Sequence, residues 1–263
     1  MSQENAMQLV MDVGNTETVV GLIEGETSVL DHWRLSSVVP RTADEMLHLL
    51  RGLLRDGGHS TAGIRQAVIG SVVPVVTGVM STALEALLGG PVHLVGPETA
   101  LPITLDVDEP MTVGADRIVN TLAARRLYER DTIVVDLGTA TTFDVITAGG
   151  VFTGGVIAPG VSAGLEWLGR RAAKLPRVEL HPPERVIGRR TEACIQSGIF
   201  HQAVDGVDGT VRRIRDEWGC PEAYVVATGG YAETIGPHCV TVQHIEPFLT
   251  LFGLAIAGEC LRG

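Results

Sequence analysis

The chain has 263 residues, 45% of them hydrophobic, enough to fill a substantial core in one large domain or two compact ones. A formal net charge of −11 would repel a phosphate backbone and an aromatic content of 4% leaves few base-stacking platforms, which argues against a nucleic-acid partner. Cys194, Cys220, Cys239 and Cys260 form no CxxC pair and the eight histidines form no HxxxH or HExxH pair, so reduced structural thiols and no zinc chemistry are expected.

Leu9 to Val13 is apolar around one acid, and Thr18 to Ile23 is rich in β-branched residues; Gly14-Asn15 supplies the turn between two strands. Met46, Leu47, Leu49, Leu50, Leu53 and Leu54 fall at helical spacing from Ala43 to Arg55, and Asp56-Gly57-Gly58 stops that helix. Ala67 to Val73 reads as a strand buried on both faces, followed by a helix over Val75 to Leu88 and a short strand around Val92 to Val95. After a proline-containing loop, GADRIVNTLAARRLY begins a helix with Ile118, Leu122, Ala123 and Leu127 on one face. Thr132 to Asp136 is a buried strand, and Leu137 to Ile146 repeats the strand-turn pattern. The spacing of Ile195, Ile199, Ala203, Val207, Val211, Ile214 and Trp218 predicts a long helix over Thr191 to Trp218. On it Gly198, Gly206 and Gly209 cost stability unless a neighbour packs closely, and Arg212, Arg213 and Arg215 read as a solvated face. The opening MSQENA lacks a secretory pattern, and Leu249 to Gly258 is too short to span a bilayer, so a soluble cytoplasmic protein is expected.

MDVGNTETVVGLIEG and VDLGTATTFDVITAG form an internal repeat whose aspartates, Asp12 and Asp136, stand 124 positions apart. The expectation is an α/β protein of two related lobes, 1–117 and 118–263, with its ligand in the cleft between them. In each copy a strand ends in Asp and a Gly turn, where backbone N–H groups and hydroxyls can point at a phosphate and the Asp can hold Mg²⁺. A plain hairpin explains one such turn; a second copy opening the other half weakens that explanation. A third element, ATGGYA from Ala227, follows an apolar strand, Tyr224 to Ala227, and its paired glycines admit a flat ligand or a phosphate, although a strand-to-helix turn needs the same residues.

Two phosphate-type turns and a late Gly-Gly turn in this order resemble the superfamily of actin, Hsp70 and sugar kinases, the actin-like ATPase (ribonuclease H-like) type. More specifically, GADRIVN at 114–120, DLGTATT at 136–142, GGVIAPG at 154–160, AAKLP at 172–176, TEACIQSG at 191–198 and EPFLTLFGL at 246–254 resemble the type III pantothenate kinases, in order. The likeness runs from about residue 9 to residue 258. It implies ATP-dependent phosphorylation of pantothenate at the start of coenzyme A synthesis.

The resemblance places Asp12, Val13, Gly14, Asn15, Thr16, Glu17, Thr18 and Val19 at ATP and Mg²⁺, with Thr139 also touching nucleotide. It places a monovalent cation, K⁺ or NH₄⁺, at Asp136. Gly114, Ala115, Asp116 and Arg117 would bind pantothenate, Asp116 acting on its hydroxyl, and Thr191 would complete the pocket from the second subunit of a homodimer. The residues support part of this independently: Asp116 falls in the first turn of a predicted helix, where the dipole favours a carboxylate, as it also would for a simple helix cap. Phosphoryl transfer asks mainly for alignment and charge neutralisation, so a metal, oriented amides and one aspartate suffice. The family usually carries Tyr seven positions before the Gly of GADR, and here that residue is Val107. The alternatives are a catalytically inactive homologue acting as an accessory or regulatory binding protein, and a kinase of another small hydroxyl compound.

Overall fold

The computed structural model describes residues 7–171, 176 and 178–262. Of the AAKLP stretch, residues 172–175 lie outside the described residues. The chain divides into two compact units, Met1–Leu127 with Leu249–Gly263, and Tyr128–Phe248. The expected boundary at 117/118 falls inside a helix that runs unbroken from Ala115 to Tyr128, and the C-terminal segment returns to the first unit.

In the first unit β1 (Met7–Val13), β2 (Glu17–Glu24) and β3 (Ser28–Ser36) form an antiparallel meander. After α1 (Ala43–Asp56), β4 (Ile64–Ser71) lies parallel to β1; after α2 (Pro74–Leu88), β5 (Val92–Val95) lies parallel to β4, giving the order β3-β2-β1-β4-β5. β6 (Thr104–Leu105) and α3 (Ala115–Tyr128) follow. Thr42 and Glu45 close a reciprocal cap at the start of α1, which therefore begins where the apolar periodicity does. Leu9, Met11, Val13, Ala67 and Ile69 pack on one face against Met46, Leu50 and Leu54 of α1 and Met80, Ala83 and Leu84 of α2. The other face takes α7 (Leu249–Leu261), a helix buried along nearly its whole length.

The second unit repeats the plan. β7 (Thr132–Leu137), β8 (Ala140–Ile146) and β9 (Val151–Pro159) form the antiparallel meander. Past α4 (Val161–Arg171) and α5 (Thr191–Trp218), β10 (Tyr224–Thr228) lies parallel to β7; after α6 (Ala232–Ile235), β11 (His244–Ile245) lies parallel to β10. Within the unit the order β9-β8-β7-β10-β11 matches β3-β2-β1-β4-β5 strand for strand, as the internal repeat implies. Ile133, Val135 and Leu137 of β7 with Val225 and Ala227 of β10 pack against the α5 stripe Ile195, Ile199, Val207 and Val211. Among the described residues no helix is long and apolar enough to cross a membrane.

Candidate active site

Asp12 is the penultimate residue of β1, and after Val13 the chain reverses at once: the Gly14 N–H donates to the Glu17 carbonyl at 3.0 Å, leaving Asn15, Thr16 and Glu17 exposed on the turn. A Cβ on Gly14 would stand 3.0 Å from that carbonyl oxygen, so the tightness of the turn depends on glycine. Thr18 points inward, its hydroxyl 2.9 Å from that of Ser37, and the Ser37 N–H donates to the Thr16 carbonyl at 3.0 Å. Thr18 therefore pins the base of the turn. Glu17 pairs with Arg34 at 3.1 Å on the exposed side, and Val19 is half-buried in β2.

The register of β4 sets Gly70 beside Asp12 and Ser71 beside Val13. Because Gly70 has no side chain, Ala115 can lie against it; a Cβ on Gly70 would be 3.6 Å from that of Ala115 and 3.0 Å from Leu254 Cδ2. That contact delivers the first turn of α3, and with it Asp116, to the strand end that carries Asp12. Gly114, one residue before Ala115, leaves room for the Asp116 carboxylate, since a Cβ there would run into Asp116 Oδ1. Asp116 Oδ1 in turn accepts the Arg117 N–H at 2.9 Å.

Burial, and secondarily the negative charge of Asp116, pushes the Asp12 carboxyl up to about 7. The strand end stays partly open to solvent, yet Asp12 has lost most of its hydration. Two carboxylates in such surroundings call for a positive charge, and an all-oxygen donor set suits Mg²⁺. Among the described residues no cluster of three or more His, Cys, Asp or Glu could cage a metal. A divalent ion held by these residues would need further oxygen donors from water and substrate phosphates. The residues fit the ion.

In the second unit the corresponding turn is Leu137–Ala140, closed by the Gly138 N–H on the Ala140 carbonyl at 3.0 Å. Two other glycines are pressed onto it. A Cβ on Gly229, whose φ is +90°, would lie 2.8 Å from the Leu137 nitrogen and run into Asp136 Oδ1. One on Gly160 would lie 2.6 Å from the Thr139 carbonyl carbon. The Tyr231 N–H also donates to the Leu137 carbonyl at 3.0 Å. The ATGGYA and GGVIAPG stretches thus converge on the turn holding Asp136 and Thr139, and bare backbone against a carboxylate and a phosphate-type turn suits a small cation beside a polyphosphate.

Asp12, Gly114, Ala115 and Asp116 are gathered in the first unit, with Arg117 half-buried in the same helical turn; Asp136 and Thr139 are gathered in the second. Thr191 is the exposed first residue of α5, and Val107 lies half-buried in the bend after β6. Gly70, which lies beside Asp12 and lets Ala115 approach, went unmarked in the sequence; the IGS end of an apolar strand in the first half, at the repeat position of the ATGG turn, is the signal that would have found it.

A family model described as type III pantothenate kinase matches residues 8–213. The chain is 44% identical to the type III pantothenate kinase of Moorella thermoacetica and 43% identical to that of Frankia alni, in each case over 96% of this chain and 99% of the relative. Among solved structures it is similar to a Baf family transcriptional activator from Campylobacter jejuni, with TM-score 0.58, 17% identity and coverage of 97% and 100%. It is also similar to the activator of 2-hydroxyisocaproyl-CoA dehydratase from Clostridium difficile, with TM-score 0.51, 10% identity and coverage of 97% of each chain. Those two likenesses bear on the fold alone, an α/β chain of two units built on one strand plan.

Proposed function

The chain belongs to the type III pantothenate kinases and phosphorylates pantothenate with ATP at the entry to coenzyme A synthesis, and from that premise we propose how its residues divide the work. Asp116 orients the acceptor hydroxyl and takes its proton as the oxygen attacks the γ-phosphorus; the bond to the bridging oxygen breaks and ADP leaves. Asp12 holds Mg²⁺, which when bound neutralises charge on the β- and γ-phosphate oxygens. Gly14, Asn15 and Thr16 face the phosphates with backbone N–H groups and hydroxyl, while Val13, Glu17, Thr18 and Val19 hold the hairpin in shape. Thr139 meets nucleotide from the second turn, and Asp136 holds K⁺ or NH₄⁺. Gly114, Ala115 and Arg117 bind pantothenate. A homodimer supplies Thr191 from the second subunit, in the cytoplasm.

The observation that supports this reading best is the pairing of Asp12 with Asp116, one acid deprived of water beside a second at a helix start. Asp116→Asn keeps the size of the side chain and its acceptor for the Arg117 N–H, so folding and ATP binding measured by calorimetry are retained. Pantothenate-dependent ADP release on the same preparation falls by about 10²–10⁴-fold. A variant keeping more than roughly a tenth of the wild-type rate removes Asp116 from the proton-handling role.

A further inference from the structure

In β7 and β10 alternate residues face the α5-side core: Ile133, Val135 and Leu137 on one strand, Val225 and Ala227 on the other. Asp136 and Thr228 lie between or beside these positions, so both face the opposite side of the sheet, and the parallel register pairs them directly. Thr228 is 1% exposed and its Oγ1 is buried with no hydrogen-bond partner among the described residues. The next residue is Gly229, whose backbone is pressed against Asp136 Oδ1. A buried hydroxyl thus lies under a carboxylate that is itself reached by solvent.

The internal repeat shows that the fold does not require this hydroxyl. In the first unit the residue paired with the strand-end acid is Gly70, and that strand end is built with no side chain. A valine of the same shape would seal the position in the second unit without leaving a polar atom unpaired, and an unpaired buried hydroxyl costs stability. The pairing of a hydroxyl oxygen with a carboxylate suits a weakly hydrated cation, which takes neutral and charged oxygens together.

We propose that the Thr228 hydroxyl is an oxygen donor to the monovalent cation held at Asp136. This rests on the reading of Asp136 as the cation's carboxylate, and the two are separable by experiment. The full chain, with Mg²⁺ and a non-hydrolysable ATP analogue, is melted across a KCl series, with tetramethylammonium chloride holding ionic strength constant. A cation that binds the folded state alone raises the melting temperature along its saturation curve. Wild type gives the reference half-saturating K⁺, and Thr228→Val moves it upward by about tenfold, the lower end of what loss of a supporting metal contact costs. Thr228→Ser restores the wild-type curve, and Thr228→Ala serves as the hydroxyl-free variant should Val at this position prevent folding. A hydroxyl-free variant that melts higher while keeping the wild-type K⁺ midpoint overturns the proposal and makes Thr228 an uncompensated polar residue. An Asp136→Asn chain with an undiminished K⁺ response, or a wild type that does not respond to K⁺, overturns the Asp136 reading and this proposal with it.

Discussion

Cys194 is exposed on the first turn of α5, whereas Cys239 is buried between β10's neighbours and α5, with Asp208 and Asp205 nearby. Burial first, then those two acids, push the Cys239 thiol up to about 12, and burial also raises Cys220 and Cys260. Thiolate is the reactive form, so one equivalent of iodoacetamide at neutral pH labels Cys194 first, and peptide mass spectrometry should find Cys239 unmodified until the chain unfolds. The same shift has a sign for stability. Above pH 9 the unfolded chain ionises this thiol and the folded one does not, so the folded state holds more protons and its stability falls as pH rises from about 9 toward 12. Cys239→Ala removes that contribution, and the alkaline decline of its melting temperature is shallower than that of wild type.

Elements with one buried face were legible in the sequence, and so were the central strands that read as short continuous apolar runs; an all-apolar helix, a strand with broken alternation and a charged edge strand were not. The long helix was readable because Ile195, Ile199, Val207 and Val211 recur along one buried stripe, and α5 runs from Thr191 to Trp218 as the spacing predicts. α7 escaped because it is apolar all round, with ten consecutive buried residues and no polar face to mark a period. β9 escaped because Gly154, at φ +124°, breaks the alternation of VFTGGVIAP where the register with β8 shifts. β3 escaped as an edge strand with charges among its apolar positions. The open glycines of α5 give a test at this scale. Among the described residues, nothing beyond the local helix backbone stands within 4 Å of a Cβ built on Gly198 or Gly206, so in a lone subunit alanine at either stabilises the helix by about 1 kcal/mol. If the proposed dimer packs a second subunit over this face, the added methyl weakens association instead. Sedimentation of Gly198→Ala and Gly206→Ala across a concentration series separates these outcomes, and weaker association is expected.

At the scale of the whole molecule the repeated strand ending in Asp-x-Gly, at Asp12 and Asp136, revealed two lobes of one plan, and the matching strand orders follow from it. The dependence of the first lobe on the last thirteen-residue helix was not readable, because α7 belongs to its unit through contacts formed only after the whole of Tyr128–Phe248 has intervened. Leu249, Leu251, Leu254 and Ile256 are at most 3% exposed, and burying four such side chains contributes about 6–12 kcal/mol, comparable with the net stability of a domain. The fit is closest at two glycines. A Cβ on Gly253 would overlap the backbone of Val119 in α3, one helical turn beyond Asp116, while Thr250 donates to Asn120 Oδ1 at 3.0 Å beside it. A Cβ on Gly258 would collide instead with Gln8 and Gln66, whose side chains bond each other at 2.8 Å near the opposite end of β1 from Asp12. Gly253→Ala and Gly258→Ala should each cost about 1–3 kcal/mol by overpacking, seen as lowered melting temperatures. Their effects on catalysis should differ. With both variants assayed well below their melting points, Gly253→Ala displaces the turn bearing Asp116 and lowers kcat for pantothenate, whereas Gly258→Ala leaves kcat near wild type. Equal kcat values in the two variants would show that α7 supports the lobe without positioning its catalytic acid.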